Sequence, residues 1–188
     1  MSSFSASQEI APLSPAEIVK RARALRLVIT DCDGVLTDAG VYYSAKGEEL
    51  KRFSIRDGMG VERLRNAGIE TTIVTGENAE MVARRGDKLK IRVHLGVKDK
   101  AGRLPEILSE HGVALNEVGY IGDDVNDLGA MASVADVGLL AAPSDAMPAV
   151  LSRVHYKAQH PGGHGAFRDF AEWIIAARED HEWLSPAT

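Results

Sequence analysis

Two aspartates separated by one residue follow directly on an apolar run near the start of the chain. Residues 27–29 favour a buried strand, and Gly34 allows the backbone angles that end it. Because side chains alternate along a strand, we expect Asp31 and Asp33 on one side of its carboxyl end and Cys32 on the other. Two close carboxylates repel each other unless a cation offsets their charge. An all-oxygen site of this kind suits Mg²⁺.

A calcium loop and a plain polar turn are two other structures in which the pattern Asp-x-Asp-Gly occurs. In the calcium loop of an EF-hand the glycine occupies the sixth position, and the loop follows a helix. Here Gly34 is the fourth residue counted from Asp31, and a predicted strand precedes it. The calcium loop is therefore disfavoured, whereas the polar turn stays open until the rest of the chain is considered.

Two further apolar runs end in polar residues in the same way. Residues 70–74 lead into Thr75, and Lys100 begins a predicted helix. Residues 117–121 lead into the acids Asp123, Asp124 and Asp127. Strands that alternate with helices of about ten residues predict a Rossmann-like, doubly wound parallel sheet of the α/β class. The carboxyl ends of such strands meet at one edge, where ligands bind.

The side chains expected at this edge are suited to phosphoryl transfer. They comprise a metal site, a pair of acids, a hydroxyl donor and a fixed cation, and phosphoryl transfer depends mainly on positioning and charge neutralisation. No glycine-rich loop ends in Lys-Ser or Lys-Thr, which argues against P-loop chemistry. The remaining route is an aspartate that attacks phosphorus and forms an aspartyl-phosphate, which water then hydrolyses.

Composition narrows the class of protein. The 188 residues are 45% hydrophobic and 26% charged, which is ordinary for a globular protein with one core. A net charge of −5 and a pI near 5.7 argue against binding to nucleic acid or to a membrane surface. The single cysteine excludes an internal disulfide and a cysteine-rich metal site. With no transmembrane run or signal peptide in evidence, we expect a cytoplasmic protein.

We expect one α/β domain over residues 13–178, between a disordered N-terminus at 1–12 and a frayed C-terminus at 179–188. Two apolar segments around a glycine predict a β-hairpin at about 41–53, directly after the acidic strand. Such a hairpin could act as a flap over the strand end or as an oligomer contact, and a simple exposed hairpin is the alternative. A glycine-rich tail at about 159–168 leads into the last helix.

The order of these motifs resembles that of the haloacid dehalogenase superfamily of phosphatases. Residues 31–35 resemble the first motif, and Thr75 resembles the second. Lys100 resembles the third motif, and residues 122–127 resemble the fourth. The resemblance extends over residues 13–175 and implies an α/β fold of the same kind.

The resemblance also implies a role for each matched residue in the reaction. Asp31 would be the nucleophile, and Asp33 would be the general acid and base. Thr75 and Lys100 would hold the phosphate group.

A magnesium ion is the cofactor that the resemblance implies. Its ligands would be Asp31, the main-chain carbonyl group of Asp33, and Asp123. Asp124 or Asp127 would orient the water molecules around the metal from a second layer.

A narrower resemblance is to the capless branch that includes the 3-deoxy-D-manno-octulosonate 8-phosphate phosphatases. It rests on four segments, at residues 33–38, 42–53, 56–60 and 162–168. Neither interval between the first three motifs has room for a cap domain. In that branch a homotetramer supplies the missing cover: the hairpins form a barrel, and the glycine-rich tail can close over an active site. The resemblance therefore implies a substrate pocket that lies partly between subunits.

The residues that would contact the sugar acid are of mixed type. Octulosonate phosphatases usually carry arginine after the Thr-Gly pair, where this chain has Glu77. The helix predicted over 77–89 also carries Arg85 and Lys88, and this set resembles the 2-keto-3-deoxynononate 9-phosphate phosphatases. Arg56, in contrast, follows the eight-carbon pattern. The spacing puts the helical set on one face, for which a solvated charged face is the alternative.

We therefore expect a phosphatase for a 2-keto-3-deoxy sugar acid of eight or nine carbons. Two other functions stay open. A similar domain fused to nonulosonate cytidylyltransferases mainly assists assembly, so a non-catalytic module is one of them. A phosphatase or phosphotransferase that accepts many small phosphomonoesters is the other, and it would give comparable kcat/KM across unrelated substrates.

Overall fold

A parallel sheet of six strands forms the centre of the molecule. The computed structural model describes residues 10–179. The strands of the sheet are Leu27–Thr30 (β1), Glu70–Val74 (β4), Arg92–His94 (β5), Val118–Ile121 (β6), Leu139–Ala142 (β7) and Tyr156–Lys157 (β8). They follow one another across the sheet in the order β5-β4-β1-β6-β7-β8. The helices are Pro15–Ala24 (α1), Ile55–Asn66 (α2), Glu80–Leu89 (α3), Lys100–His111 (α4), Leu128–Ala135 (α5), Pro148–Leu151 (α6) and Ala166–Glu179 (α7).

The first strand occupies the middle of the sheet and pairs in parallel with β4 on one side and β6 on the other. Its side chains alternate between two apolar cores. Val28 packs with residues of α1, α2 and α7, whereas Leu27 and Ile29 pack with residues of α4 and α5. Helices therefore cover both faces, and the doubly wound sheet predicted from the sequence is confirmed. Among the described residues no helix is both long and apolar enough to span a bilayer.

A two-stranded antiparallel hairpin follows β1 and forms a sheet of its own. Its strands are Thr37–Ser44 (β2) and Gly47–Phe53 (β3). The hairpin predicted at about 41–53 is thus present, and its first strand extends back to Thr37, with Ala39 at a φ of 57° where the pairing is irregular. Tyr42 and Leu50 are each 63% exposed. Between β1 and β4 the described chain holds only this hairpin and α2, so no cap domain is present there.

The start of α3 differs from the sequence prediction. The helix begins at Glu80 and not at Glu77, because the main chain of Glu77 is bonded elsewhere. Its N–H group donates to the Thr75 hydroxyl oxygen at 3.1 Å, and its carbonyl group accepts from Gly96. Ala79 then has an extended backbone at the helix cap. The prediction that Glu77 shares a helix face with the basic residues that follow it is therefore wrong.

The last third of the sheet is built from short elements. β7 comprises Leu139–Ala142, and α6 is the single turn Pro148–Leu151. Pro148 fits the first turn of a helix because it lacks an N–H group, and residues 143–146 form a turn before it. The termini expected to be disordered or frayed fall largely on residues 1–9 and 180–188, outside the described residues.

A buried aspartate fixes the position of the last helix. Asp57, on α2, is 1% exposed, and its carboxylate accepts hydrogen bonds from the N–H groups of Gly165 and Arg168. These N–H groups belong to the beginning of α7, where no helical partner exists for them. The segment 56–60, noted in the sequence for its resemblance, thus holds α7 and the end of the glycine-rich tail in place.

We predict that Asp57→Ala lowers the free energy of unfolding by about 1–3 kcal/mol, because two buried N–H groups lose their acceptor. Chemical denaturation monitored by circular dichroism measures this change. The matched control is Asp87→Ala, since Asp87 is exposed on α3; its effect should stay within about 0.5 kcal/mol. Equal stabilities for the two variants would contradict the capping role.

Candidate active site

Three carboxylates meet at the carboxyl edge of the sheet. Asp31 follows β1, and Asp123 and Asp127 follow β6, so adjacent parallel strands bring them together. The Asp31 N–H group continues the ladder by donating to the Ile121 carbonyl oxygen at 3.0 Å. One oxygen from each of the three carboxylates lies within 4.8 Å of the others. This is the edge at which the sequence predicted an acidic site.

Lys100 neutralises part of this charge. Its ammonium group lies 2.8 Å from the Asp31 carboxylate and 2.8 Å from that of Asp127, and the side chain is 1% exposed. The lysine is the first residue of α4, and the Asp99 side chain caps that helix by accepting from the Gly102 N–H group at 2.8 Å. Burial alone would lower the pKa of Lys100, but the two carboxylates outweigh it and raise that pKa. The group therefore remains a cation.

Asp127 is the most enclosed acid of the three. Tyr120 donates its hydroxyl hydrogen to the carboxylate at 2.7 Å, and the Asp123 N–H group donates to it at 3.2 Å. With Lys100 as a third donor, this carboxylate is fixed from three directions. Asp124, the other residue expected to support the metal, is exposed and accepts from the Val125 N–H group.

The electrostatics of the cluster call for a further cation. Burial, together with the charge of Asp127, raises the pKa of Asp31 to about 7 although Lys100 opposes the shift. Burial and the charges of Asp31 and Asp127 raise the pKa of Asp123 to about 8. The Asp123 Oδ1 atom is also buried without a hydrogen-bond donor in the described structure. Carboxylate oxygens placed in this way fit a divalent cation such as Mg²⁺.

The loop after β1 approaches Asp123 so closely that any side chain at position 34 would be strained. Gly34 has a φ of +86°, a conformation that other residues rarely adopt, and a Cβ atom there would lie 2.0 Å from the Asp123 Oδ2 atom. The glycine therefore lets the main chain of the first motif lie directly against the fourth motif.

Asp33 stands apart from the three-carboxylate cluster. Lys51, on β3 of the hairpin, donates to both of its carboxylate oxygens at 2.7 and 2.8 Å, and Thr37 donates its hydroxyl hydrogen at 3.3 Å. Sequence reasoning missed Lys51, because nothing in the local pattern marks one lysine of a polar hairpin strand. The predicted position of the hairpin, directly after the acidic strand, is the only signal that pointed towards it.

Thr75 lies where the sequence predicted, at the carboxyl end of β4 beside β1. It is 1% exposed, and its N–H group donates to the His94 carbonyl oxygen at 3.0 Å. Its hydroxyl oxygen accepts from the Glu77 N–H group, so the hydroxyl hydrogen stays available for another acceptor.

The residues expected to contact the sugar lie in different surroundings. Glu77 pairs with Lys98 at 3.5 Å in an exposed groove that is also lined by hairpin residues. Arg56 is exposed at the start of α2. Lys88 lines a separate groove between α2 and α3. The structure thus does not gather these side chains on one surface.

The Arg85 side chain is engaged in contacts within its own chain. Its guanidinium group donates to the Ser54 carbonyl oxygen at 2.8 Å and lies 5.4 Å from the centre of the Phe53 ring. Burial lowers the pKa of this arginine, and the charge of Asp57 partly offsets that effect. The arginine therefore supports the junction between the hairpin and α2.

Known proteins resemble the chain over most of its length. No family model matches it. It is, however, 37% identical over 167 residues to the 3-deoxy-D-manno-octulosonate 8-phosphate phosphatase of Yersinia pestis, and the match covers 88% of each chain. The chain belongs to this phosphatase family. The sequence-based recognition is thereby confirmed.

Solved structures agree with this membership in the octulosonate 8-phosphate phosphatase family. A Legionella pneumophila hydrolase of the haloacid dehalogenase superfamily, subfamily III A, is 34% identical with a TM-score of 0.81, covering 89% of this chain and 91% of that one. The Moraxella catarrhalis octulosonate phosphatase, in complex with magnesium, phosphate and KDO, is 32% identical with a TM-score of 0.79, covering 87% and 93%.

In this member of the octulosonate phosphatase family, the glycine-rich tail packs against the loop after β1 of its own chain. The Gly163 N–H group donates to the Val35 carbonyl oxygen at 2.9 Å, and the Gly162 N–H group donates to the Asp145 carboxylate at 2.9 Å. A Cβ atom on Gly162 would lie 1.9 Å from the Gly34 carbonyl oxygen. The tail therefore buttresses the loop that carries Asp31 and Asp33.

For this phosphatase we predict that Mg²⁺ affinity rises with pH from about 6 and levels off above about 9. The raised pKa values mean that Asp31 and Asp123 hold protons below about 7 and 8, and the metal requires both groups ionised. Binding near pH 7 should release between about one and two protons, because both groups hold protons there. Isothermal titration calorimetry in buffers of different ionisation enthalpy measures the affinity and the proton count.

The control for this titration is Asp136→Asn, which changes an exposed acid between α5 and β7 and should leave the pH dependence intact. Asp123→Asn, in contrast, should weaken metal binding at every pH. An affinity that does not change between pH 6 and 8 would contradict the assignment of the buried carboxylates as metal ligands.

Proposed function

We propose that this protein is a Mg²⁺-dependent phosphomonoester hydrolase that acts through an aspartyl-phosphate. The observation that carries the proposal is the buried cluster in which Lys100 bridges Asp31 and Asp127 beside Asp123. A buried group of this kind costs stability unless a ligand or an ion completes its charge balance. Membership in the octulosonate 8-phosphate phosphatase family supports the reaction class.

The metal would be held by the carboxylates of Asp31 and Asp123 and by the main-chain carbonyl group of Asp33. When bound, Mg²⁺ supplies positive charge that offsets the phosphate oxygens. Asp127 positions Lys100 and the main chain at Asp123, and Asp124 lies close enough in sequence to support the water molecules of the metal.

The reaction then follows from the roles of four side chains. An Asp31 carboxylate oxygen attacks phosphorus, and the bond from phosphorus to the sugar oxygen breaks. Asp33 gives its proton to that leaving oxygen, while Thr75 and Lys100 hold the phosphoryl oxygens. Asp33 next takes a proton from water as the water oxygen attacks phosphorus. Inorganic phosphate leaves, and Asp31 is regenerated.

The substrate we propose is the phosphate ester of a 2-keto-3-deoxy sugar acid. The relatives named for 3-deoxy-D-manno-octulosonate 8-phosphate favour eight carbons. Glu77, which stands in the exposed groove beside the hairpin, keeps the nine-carbon substrate open as an alternative. Arg56, Arg85 and Lys88 remain proposed sugar contacts. For Arg85 and Lys88 such contacts need an approach from a neighbouring subunit or a change in their present surroundings.

We also propose that the protein is a homotetramer that assembles through its hairpins and acts in the cytoplasm. The exposed apolar side chains of Tyr42, Tyr43 and Leu50 support the assembly, because hairpin surfaces of this kind are stabilised when another chain covers them. A free, buried cysteine fits a reducing compartment.

We predict that Asp31→Asn lowers the rate of phosphate release by about a thousandfold or more, because the nucleophilic oxygen is replaced by an amide. The substrates are the eight-carbon and nine-carbon sugar-acid phosphates, assayed with Mg²⁺ at saturating concentration. Circular dichroism and sedimentation should show an unchanged fold and mass. A variant that keeps its turnover would refute the nucleophile. No hydrolysis by the unmodified protein would favour a non-catalytic module.

We predict that Glu77→Arg shifts the ratio of kcat/KM for the eight-carbon and nine-carbon substrates by about tenfold or more, if Glu77 contacts the sugar. Steady-state kinetics on both substrates measure the ratio. Glu106→Arg serves as the control, because Glu106 is an exposed glutamate on α4. An unchanged ratio in the Glu77 variant would make Glu77 part of a solvated charged surface.

A further inference from the structure

One charged side chain of the hairpin is covered, and it is a lysine. The Lys51 side chain is 2% exposed, while most other hairpin residues face solvent. Its ammonium group contacts both oxygens of the Asp33 carboxylate, whose side chain is 27% exposed. Covering an ammonium group removes its bound water, which costs free energy. A close contact with a fixed carboxylate offsets that cost.

The next residue of the same strand, Arg52, also contacts segments beside the catalytic loop. Arg52 donates to the Asp38 carboxylate at 2.8 Å and to the Gly163 carbonyl oxygen at 3.1 Å. Consecutive residues of a strand point to opposite sides, so β3 reaches Asp33 with Lys51 and the glycine-rich tail with Arg52. The hairpin is thereby fastened to both segments that surround the reacting carboxylates.

We propose that Lys51 is a positioning residue, which holds the Asp33 carboxylate in the orientation for proton transfer to and from the substrate oxygen. The inference rests on the function proposed above. Lys51 acts through Asp33 and makes no bond to phosphorus or to the leaving group.

The geometry explains how a single lysine can orient the Asp33 carboxylate. An ammonium group that contacts both oxygens fixes the plane of the carboxylate, and the Thr37 hydroxyl group contacts one oxygen from a second direction. Oδ1 accepts from both Lys51 and Thr37, whereas Oδ2 accepts only from Lys51 among the described residues and keeps a lone pair with which to bind the proton that is transferred. Without Lys51 only the longer Thr37 contact would restrain the carboxylate, and fewer encounters would have the alignment that proton transfer needs.

The test compares leaving groups that need a proton with leaving groups that do not. In an alkyl phosphate, such as the sugar-acid phosphate or glycerol 3-phosphate, the leaving oxygen departs as an alkoxide unless it is protonated. In 4-nitrophenyl phosphate the leaving group is the 4-nitrophenolate anion, which departs without receiving a proton. Because kcat/KM covers the steps up to the first release of product, it reports the transfer of phosphorus to Asp31.

We expect Lys51→Met to lower kcat/KM by about tenfold or more for the alkyl phosphate and by less than about threefold for 4-nitrophenyl phosphate. Lys51→Arg, which keeps a cation, should restore most of the alkyl activity. Lys46→Met, at the exposed turn of the same hairpin, is the matched control and should change neither rate. Equal losses on the two substrates in Lys51→Met would overturn the proposal.

A double-variant cycle with Asp33→Asn asks whether Lys51 acts through Asp33. In the Asp33→Asn protein no carboxylate needs a partner, so adding Lys51→Met should leave both kcat/KM values unchanged and should not harm folding. A further loss on top of Asp33→Asn would show that Lys51 acts elsewhere and would overturn the proposal. This comparison stays available even if Lys51→Met alone is too unstable to assay.

The proposed function and the role of Lys51 can be refuted separately. If the unmodified protein with Mg²⁺ hydrolyses neither ester, the proposed function itself is wrong. If it hydrolyses both and Lys51→Met keeps the unmodified ratio of rates, only the role of Lys51 is wrong.

Discussion

The structure depends most on the ammonium group of Lys100, which is buried between the carboxylates of Asp31 and Asp127. Three carboxylates and one ammonium group leave two negative charges in excess when all are ionised. In a poorly solvated site this excess is relieved only by protons or by a further cation. The need for a metal is therefore a consequence of charge balance at the strand ends. The elements that meet there, β1, β6 and the start of α4, are held by the same contacts.

The loop after β1 is enclosed from three sides by different parts of the chain. The fourth motif approaches it at Gly34, the hairpin holds it at Asp33, and the glycine-rich tail lies on it at Gly162. Each approach is too close for an ordinary side chain or requires a specific charge. The reactive carboxylates consequently sit in a loop that tertiary contacts hold from three sides.

Local sequence patterns were sufficient for the sheet and for the position of the acids. Apolar runs that end in Asp31, Thr75 and Asp123 predict parallel strands whose ends meet, and the structure has them at β1, β4 and β6. The start of α3 was placed wrongly, because main-chain bonds to Thr75 and Gly96 hold Glu77 outside the helix. Helical spacing alone carries no information about such bonds.

The same local patterns do not predict contacts between segments that are far apart in the sequence. Nothing in the order of residues indicates that Lys51 meets Asp33 or that Asp57 accepts from the start of α7. These pairs are separated by 18 and 108 positions. Their existence depends on how the hairpin and the last helix pack, which hydrophobic periodicity does not specify.

The thiol of Cys32 can report on the motion of the loop after β1. It lies between Asp31 and Asp33 in sequence, but its side chain faces the apolar core and is fully buried. Burial and the neighbouring carboxylates raise the pKa of its thiol and disfavour the reactive thiolate. It is also the only cysteine of the chain. The speed at which a thiol reagent labels the native protein therefore reports how often the catalytic loop leaves the core.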